Sequence, residues 1–580
     1  MRADEPMPIT DEIRCAIKKY AIKNAIDYGK ADQKIVLNKM LQFPEARGNM
    51  KELGAEVGKI VAEINALSAE QVREQFKPFE TEFEQKAKET AEKSSKPKMV
   101  LEGATEGNVV TRLSPEPSGY MHIGHVKQAL LSYEFTRIYK GKFYRYWDDT
   151  NPEKCKQEYV DAMKSDHEWL GLKFDKEYYA SDYVEQIYAY AKQLIEKGKA
   201  YVCLCIREEM QKKRYVGEEC QHRNQSVMQN TELFNDMLNS KLREGEAVLR
   251  FKGDMKANNT ALRDPAMLRI VTSPHYRQGT KYRVWPLYDF NTPILDSLNG
   301  ITDIIRSKEY ELRDELGKQI LESLSLRVPR MHLEARLNIK GNETHKRIIR
   351  KMIEDGAVQG WDDLRLMTIM SLRRRGIQPK ALSDFVLRFG MSKTDGEVGI
   401  EMLLAENKRI IDPIAKHLFF VSDPIKVMVK NSSIKEVKMK LHPSNNFGYR
   451  QYEIGDSFYI SGEDSKLIKN GVVVRLKDLM DIRIKSKNGS IDAEQVEIPG
   501  TSIIQWVSES NAVKCKIIIP GEMLDADGNF NKDGLKTIEG FAEGYANKLN
   551  EHDIVQFERL GYCILDNKEP QALQFVFISR

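Results

Sequence analysis

Val109-Val110-Thr111-Arg112-Leu113, then Ser114-Pro115-Glu116-Pro117-Ser118-Gly119, then Tyr120-Met121-His122-Ile123-Gly124-His125 is the stretch that decides the fold. The first five residues read as a buried strand. Two prolines and a glycine then make a turn. A helical pattern runs from about Ile123 to Tyr139, and Phe143 to Trp147 reads as the next strand. Strand, helix and strand in this order predict a βαβ unit, and so a parallel sheet.

His122 and His125 are three apart, so on a helix they share one face. They fall in the first turn, where free backbone N–H groups and the positive end of the dipole favour anions. Gly124 has no β-carbon, so a flat ring could pack close to the backbone there. Imidazoles at this point can donate hydrogen bonds to a phosphate that gains charge during reaction. That is electrostatic catalysis, and it asks no nucleophile of the protein. An arbitrary pair of histidines with this spacing is more often two surface residues. The strand and the Pro-Gly turn before it change the reading.

Outward from this unit the texture changes twice. Residues 1 to about 98 are charged, with apolar positions at helical spacing: Ile13, Ile17, Tyr20, Ala21 and Ala25, then Val57, Ile60, Val61 and Ile64. Glu80 to Lys98 is almost all Glu, Lys, Ala and Ser, which predicts an exposed helix fading into a linker. From about Asp412 short β-rich runs alternate with Gly, Asn and Asp. Phe458-Tyr459-Ile460, Val472-Val473-Val474, Ile503-Ile504-Gln505-Trp506-Val507 and Ile517-Ile518-Ile519 are examples. They predict a β-barrel or sandwich region.

The chain has 580 residues and a net charge of +4, because acids and bases nearly cancel. A diffuse polycation is excluded, while a local basic face is not. Seven scattered cysteines do not form a disulfide framework. The opening MRADEPMPITDE has no apolar core of a signal peptide, and no apolar run is long enough for a membrane span. A soluble, cytoplasmic setting is expected. Cys203-x-Cys205 and Cys220-x-His222 are separated by fourteen residues. Three thiols and one imidazole at such spacing can close a tetrahedral structural zinc site.

Arg112 to Pro152 resembles the opening of the archaeal and eukaryotic glutamyl-tRNA synthetases and their glutaminyl relatives, within the class I aminoacyl-tRNA synthetases. TRLSPEPSGYMHIGHVKQALLSYEF and YKGKFYRYWDDTNPEK carry the likeness. WPLYDFNTPILDSLNGITD, GWDDLR, LRRRGIQP, IIQWV and DIVQFERLGYCILD extend it over roughly residues 100 to 580. The resemblance implies an α/β fold: a Rossmann-like class I catalytic domain with an N-terminal helical region and C-terminal β-barrel anticodon-binding domains. It divides the chain into an accessory helical domain (1–98), a catalytic domain (99–330) with an acceptor-binding insertion near 200–280, a lysine-loop and helical connecting region (331–411) and the anticodon-reading barrels (412–580).

It also implies a two-step reaction: glutamate and ATP, with Mg2+, form glutamyl-adenylate, and the glutamyl group passes to tRNA(Glu). A monomer is the default. Pro115 to His125 would bind ATP, with His122 and His125 stabilising the transition state. Arg112 would contact the glutamate carboxylate, and Asp148 and Tyr288 its ammonium group. Ser118, and Arg306 eighteen residues after Tyr288, fit the glutamyl branch. A γ-carboxylate calls for a guanidinium and a γ-amide does not. A glutaminyl enzyme and an inactive tRNA-binding paralogue are the alternatives.

The catalytic lysine has two candidates. Gly390-Met391-Ser392-Lys393-Thr394 is spelled better, but the family's loop precedes the GWDD segment, here Gly360-Trp361-Asp362-Asp363. Order therefore selects Thr344-His345-Lys346, and Lys346. Three departures from the family pattern stand out: Tyr146 with Arg145 shifted by one, Asp303 in place of His, and Leu364 in place of Pro.

Overall fold

The computed structural model describes residues 10–40, 50–68, 70–80, 83 and 99–580 except 344, 431, 501 and 526. Two units separate, Met1–Pro97 and Lys98–Arg580. In the first, Thr10 caps the helix Asp11–Tyr28 by accepting the Ile13 N–H, and Gly29 ends it at a φ of 81°. The stripe Ile13, Ile17, Ala21 and Ala25 is buried in one cluster with Val57, Ile60, Val61 and Ile64 of the helix Met50–Asn65. The segment expected to fade into a linker lies outside the described residues, apart from Glu80 and Phe83.

In the second unit Val110–Leu113, Lys142–Trp147 and Lys176–Tyr179 pair in parallel, Val110 opposite Lys142 and Tyr144 opposite Lys176. The parallel pair Asp303–Ser307 and Arg330–Glu334 lies on the other side of the first strand. There the Thr302 N–H donates to the Val110 carbonyl at 2.9 Å, and Thr302 Oγ1 accepts the Val110 N–H at 2.7 Å. Strand order therefore reverses at Val110–Leu113. In an open parallel sheet, the crevice at the carboxyl ends beside such a reversal is where ligands sit. Val109, Leu113, Phe143 and Trp147 are buried in one core with Ile123, Val126, Leu130 and Phe135 of the helix Ile123–Ile138.

Between the two halves of this sheet, Ala200–Cys203, Val248–Phe251, Ala266–Ile270 and Val284–Pro286 form an antiparallel sheet. Beyond residue 415 the chain builds two mixed seven-stranded sheets, barrel-like in their winding. The mixed α/β class, with N-terminal helices and C-terminal β-domains, agrees with the sequence reading.

One C-terminal loop reaches back to the catalytic region. Met523 is fully buried against Ile349 and Leu366, and the Leu524 N–H donates to the Gly341 carbonyl at 3.0 Å. Arg365 lies 4.7 Å over the Phe530 ring. The helix Lys346–Glu354 is thus held on its apolar side by a β-domain. Leu364 is buried with Ile411, Tyr562 and Ile564, so it packs the junction between helices and barrel.

Candidate active site

His122 is the N-cap of the helix Ile123–Ile138, and His125 is its third residue. Each ring is turned back on the helix start. His122 Nδ1 accepts the Gly124 N–H at 3.1 Å, and His125 Nδ1 accepts the His122 N–H at 3.2 Å. The rings lie 3.8 Å apart. A β-carbon on Gly124 would come within 2.9 Å of His122 Cε1, so the flat ring that needs this glycine is that of His122 itself. Burial, reinforced by Lys346 and Arg336, pushes the His122 pKa down to about 3. Burial, with the nearby His122 ring and the charges of Lys346 and Arg336 adding to it, holds His125 well below its usual value too. Both imidazoles are therefore neutral. With each Nδ1 accepting, each proton sits on Nε2, which leaves two N–H donors on the cleft side.

A cleft of about 540 Å³ opens at the carboxyl end of the first strand, and His122, His125, Asp148, Tyr288 and Lys346 all line it. Lys346 begins its helix directly after His345. Its stem passes Gly119, where an added β-carbon would meet Lys346 Cδ at 3.1 Å. Arg350 one turn on donates to the Ser118 carbonyl at 2.9 Å, joining the lysine helix to the turn before the histidines. Burial lowers the Lys346 pKa, with Glu116 opposing. Thr344 lies outside the described residues. Lys393 does not line the cleft. Its exposed ammonium lies 3.5 Å from Glu311.

Asp148 follows the strand Lys142–Trp147 and is buried. Burial first, then the charges of Glu116 and Asp149, raise its pKa to about 7. Among the described residues no cation forms an ion pair with it, and Arg112 offsets the shift only in part. Arg306 Nη1 donates to the Tyr288 hydroxyl at 3.3 Å, and the two share a small cavity beside the cleft. Arg306 also contacts Asp314. Arg112 is placed differently from the rest. It is not in the cleft wall; its Nε and Nη2 donate to the two oxygens of Asp296 at 2.9 and 2.8 Å. Burial pulls the guanidinium down, but Asp296 outweighs it and keeps the pKa above its usual value. Because Asp296 and Tyr288 belong to the same helix, Tyr288–Leu298, this buried pair locks that helix to the first strand.

Three arginines line the cleft that were not among the site residues expected from the sequence, Arg269, Arg313 and Arg336. Arg336 lines the wall, with Nη1 3.3 Å from His345. Arg313 lines it too, held by both oxygens of Asp289 at 2.8 and 2.9 Å. The departures from the family pattern find local explanations. Tyr146 accepts from Asn291 at 2.5 Å and stacks on Tyr178. Arg145 pairs with Glu177. Asp303 is bound by both Arg330 (2.8 and 2.7 Å) and His332 (2.9 Å) at the amino end of its strand, away from the cleft.

In the insertion, the ligand atoms of Cys203, Cys205, Cys220 and His222 all lie within 4.8 Å of one another. Cys203 Sγ is 3.7 Å from Cys220 Sγ, and Cys205 Sγ is 3.5 Å from His222 Nδ1. Zinc–sulfur bonds of ~2.3 Å at tetrahedral angles would put two sulfurs ~3.8 Å apart, so the donor set fits. Arg250, buried, reaches Cys203 Sγ at 3.7 Å and would offset thiolate charge.

The catalytic domain of the tRNA synthetases class I (E and Q) matches residues 108–412. Two anti-codon binding domains of the same group match 415–499 and 503–566. A glutamate--tRNA ligase of Nitrosopumilus maritimus is 40% identical over 567 residues, covering 96% of this chain and 98% of the relative. One of Pyrococcus furiosus is 40% identical over 587 residues (98% and 100%), and one of Korarchaeum cryptofilum 36% over 578 (97% and 98%). The paired neutral histidines at a strand-order reversal thus sit inside a domain that fills more than half of the chain and brings both of its partner domains with it; the chain belongs to the class I tRNA synthetases of the E and Q type.

Proposed function

We propose that the chain is a glutamate–tRNA ligase, which activates glutamate with ATP and passes it to tRNA(Glu). The observation that carries the choice of amino acid is Arg306 beside Tyr288 at the edge of the cleft. A guanidinium there suits a γ-carboxylate, and the full-length relatives carry the matching name. Charging of purified tRNA(Glu) and tRNA(Gln) with radiolabelled glutamate and glutamine is the test. Glutamate on tRNA(Glu) is expected, and glutamine alone would overturn the reading. Whether tRNA(Gln) also receives glutamate is read from the same assay.

In the first step a carboxylate oxygen of glutamate attacks the α-phosphorus of ATP. The bond to the β-phosphate oxygen breaks, giving the glutamyl-adenylate mixed anhydride and pyrophosphate. Magnesium enters with ATP as part of the substrate. The Nε2–H groups of His122 and His125 donate to phosphate oxygens as charge builds, and the Lys346 ammonium follows the β- and γ-phosphates. Neutrality suits the histidines to this task, since neither has to give up a proton. The turn Pro115 to Met121 and the helix start Ile123-Gly124 shape the ATP side. In the second step a ribose hydroxyl of the terminal adenosine attacks the acyl carbon, and AMP leaves. Arg112 acts through Asp296, aligning the helix of Tyr288 with the strand.

Asp148 takes the substrate ammonium. With a pKa of about 7 in the free protein, its ionised share grows as pH rises through neutrality. Only the ionised form pairs with an ammonium. The KM for glutamate is therefore expected to rise as pH falls below 7, approaching about tenfold per unit well below it. Asp148→Asn should bind weakly and lose this slope. A wild-type KM that stays flat between pH 6 and 8 would count against the assignment.

Cys203, Cys205, Cys220 and His222 hold a structural zinc ion. Four protein ligands fill its coordination, so it stabilises the insertion and takes no part in the chemistry. One zinc per chain is expected by metal analysis. Removing it with a chelator, or replacing Cys220 by Ser, should melt the insertion at lower temperature while residues 412–580 keep their stability. Protein purified without any zinc would sink the idea.

The anticodon end is proposed for the β-domains. A cavity of about 750 Å³ there is lined by Lys438, Lys440, Arg450, Lys477 and Tyr449. Cations for phosphates and an exposed ring for stacking are what splayed bases require. The site is complete within one chain, which supports a monomer. No helix among the described residues is long and apolar enough to cross a membrane, and the cytoplasm is the compartment that tRNA charging calls for.

A further inference from the structure

Arg250 lies in the strand Val248–Phe251, directly opposite Tyr201 of the strand Ala200–Cys203, which ends on the first of the zinc-binding thiols. Cys203 is two residues on from Tyr201, opposite Val248. Tyr201, Cys203 and Arg250 therefore share one face of the sheet. The Arg250 side chain is fully buried, with its guanidinium 5.5 Å from the Tyr201 ring. Nε donates to the Asp264 carbonyl at 2.8 Å, and Nη1 donates to Cys203 Sγ at 3.7 Å. Nη2 has no hydrogen-bond partner.

This cation has no carboxylate mate. The Asp264 carboxylate is engaged by the Tyr201 hydroxyl at 2.8 Å, by Arg223 Nε at 2.9 Å and by the Gly253 N–H at 2.8 Å, so its ion pair is with Arg223. Among the described residues no carboxylate forms an ion pair with Arg250. A buried charge left without an opposite charge is strongly destabilising. Of the two groups that accept from Arg250, only the Cys203 sulfur can become an anion. The charges close when the metal is bound. Three thiolates and a neutral imidazole around Zn2+ leave one unit of negative charge, and the guanidinium carries one unit of positive charge.

We propose that Arg250 is the counter-ion of the zinc centre, a positioning residue that holds the Cys203 thiolate through Nη1 and neutralises the surplus charge of the buried metal site. The inference rests on the zinc reading proposed above and adds to it the residue that sets how tightly the metal is held. Groups just outside the ligands commonly have this effect on metal affinity. It also gives the sign of two effects. With zinc bound, the charge of Arg250 stabilises the insertion. Without zinc the same buried charge has less to pair with, so it favours the fold less or opposes it.

The test uses the full chain, stripped of zinc and then titrated with zinc against a chromophoric chelator, with melting followed for the loaded and the zinc-free protein. Arg250→Met should bind zinc about 10- to 100-fold more weakly. Its zinc-loaded insertion should melt at lower temperature, and its zinc-free form at the same temperature or higher. A residue that served packing alone would lower both. Arg250→Lys restores a cation and should bind zinc about fivefold or more tightly than the Met variant. Arg250→Gln, neutral and polar, takes the place of the Met variant should that one not fold. Wild-type zinc affinity in the neutral variant overturns the proposal, as does a Lys variant that binds no more tightly than the neutral one. A wild type that binds no zinc removes the zinc reading and this proposal together. A wild type that binds zinc no better than the neutral variant removes this proposal alone.

Discussion

Lys346→Ala is expected to slow glutamate-dependent pyrophosphate exchange by about 10²–10³-fold, the usual cost of removing one preorganised charge from a transition-state site. Lys393→Ala should change it by less than about twofold, in keeping with a solvent-exposed side chain. The contrast is sharp because the second lysine sits in the better-spelled string, Met391-Ser392-Lys393-Thr394. Lys346 lines the cleft with both histidines, its stem fitted against Gly119 and its helix tied to Ser118 through Arg350. Lys393 has its ammonium beside Glu311 at the surface. Since the Lys346 ammonium acts on the triphosphate, the loss should appear mainly in kcat and in the KM for ATP, with the KM for glutamate little altered. Equal losses in both variants would show that chain order was the wrong guide.

Arg306→Gln should lower kcat/KM for glutamate by about 10³-fold or more, because a site built to pair a charge leaves its partner buried and unmatched when the pair is broken. The Tyr288 hydroxyl loses its donor at 3.3 Å, and Asp314 loses its cation. The half-buried Asp314 left without its cation adds to the cost, so the double variant Arg306→Gln, Asp314→Asn should recover fold stability without recovering glutamate. Activity of the single variant with glutamine, measured beside glutamate, shows whether the guanidinium alone decides between acid and amide. Full activity of Arg306→Gln with glutamate would remove the assignment.

Several features were legible because they depend on residues close together in the chain. A strand, a Pro-Gly turn and a helix start follow one another from Val109 to His125, so local propensity and capping settle them. The two CxC and CxH pairs are each rigidly short, and only one closure, across fourteen residues, had to be inferred. Even here the local reading was incomplete. Gly124 was expected to make room for a flat ring, and the ring proved to be His122, folded back onto its own helix.

What the chain alone determined is the chemistry on offer: two imidazoles at a helix start, a lysine in the right order, three thiols and an imidazole spaced so that they could hold a metal ion, and β-rich domains after residue 412. What only the tertiary structure decided is which of these groups meet. Arg112 and Asp296 are 184 residues apart, and their pairing takes the arginine out of the cleft wall. The neutral Nε2–H form of both histidines follows from burial and from hydrogen bonds that exist only once the helix start has closed. Chain order picks out Lys346, and folding places Lys346, not Lys393, in the cleft with the histidines. A motif is a property of neighbours along the chain, whereas a site is set by long-range packing that brings the lysine helix, more than two hundred residues on, against Gly119 and the histidines.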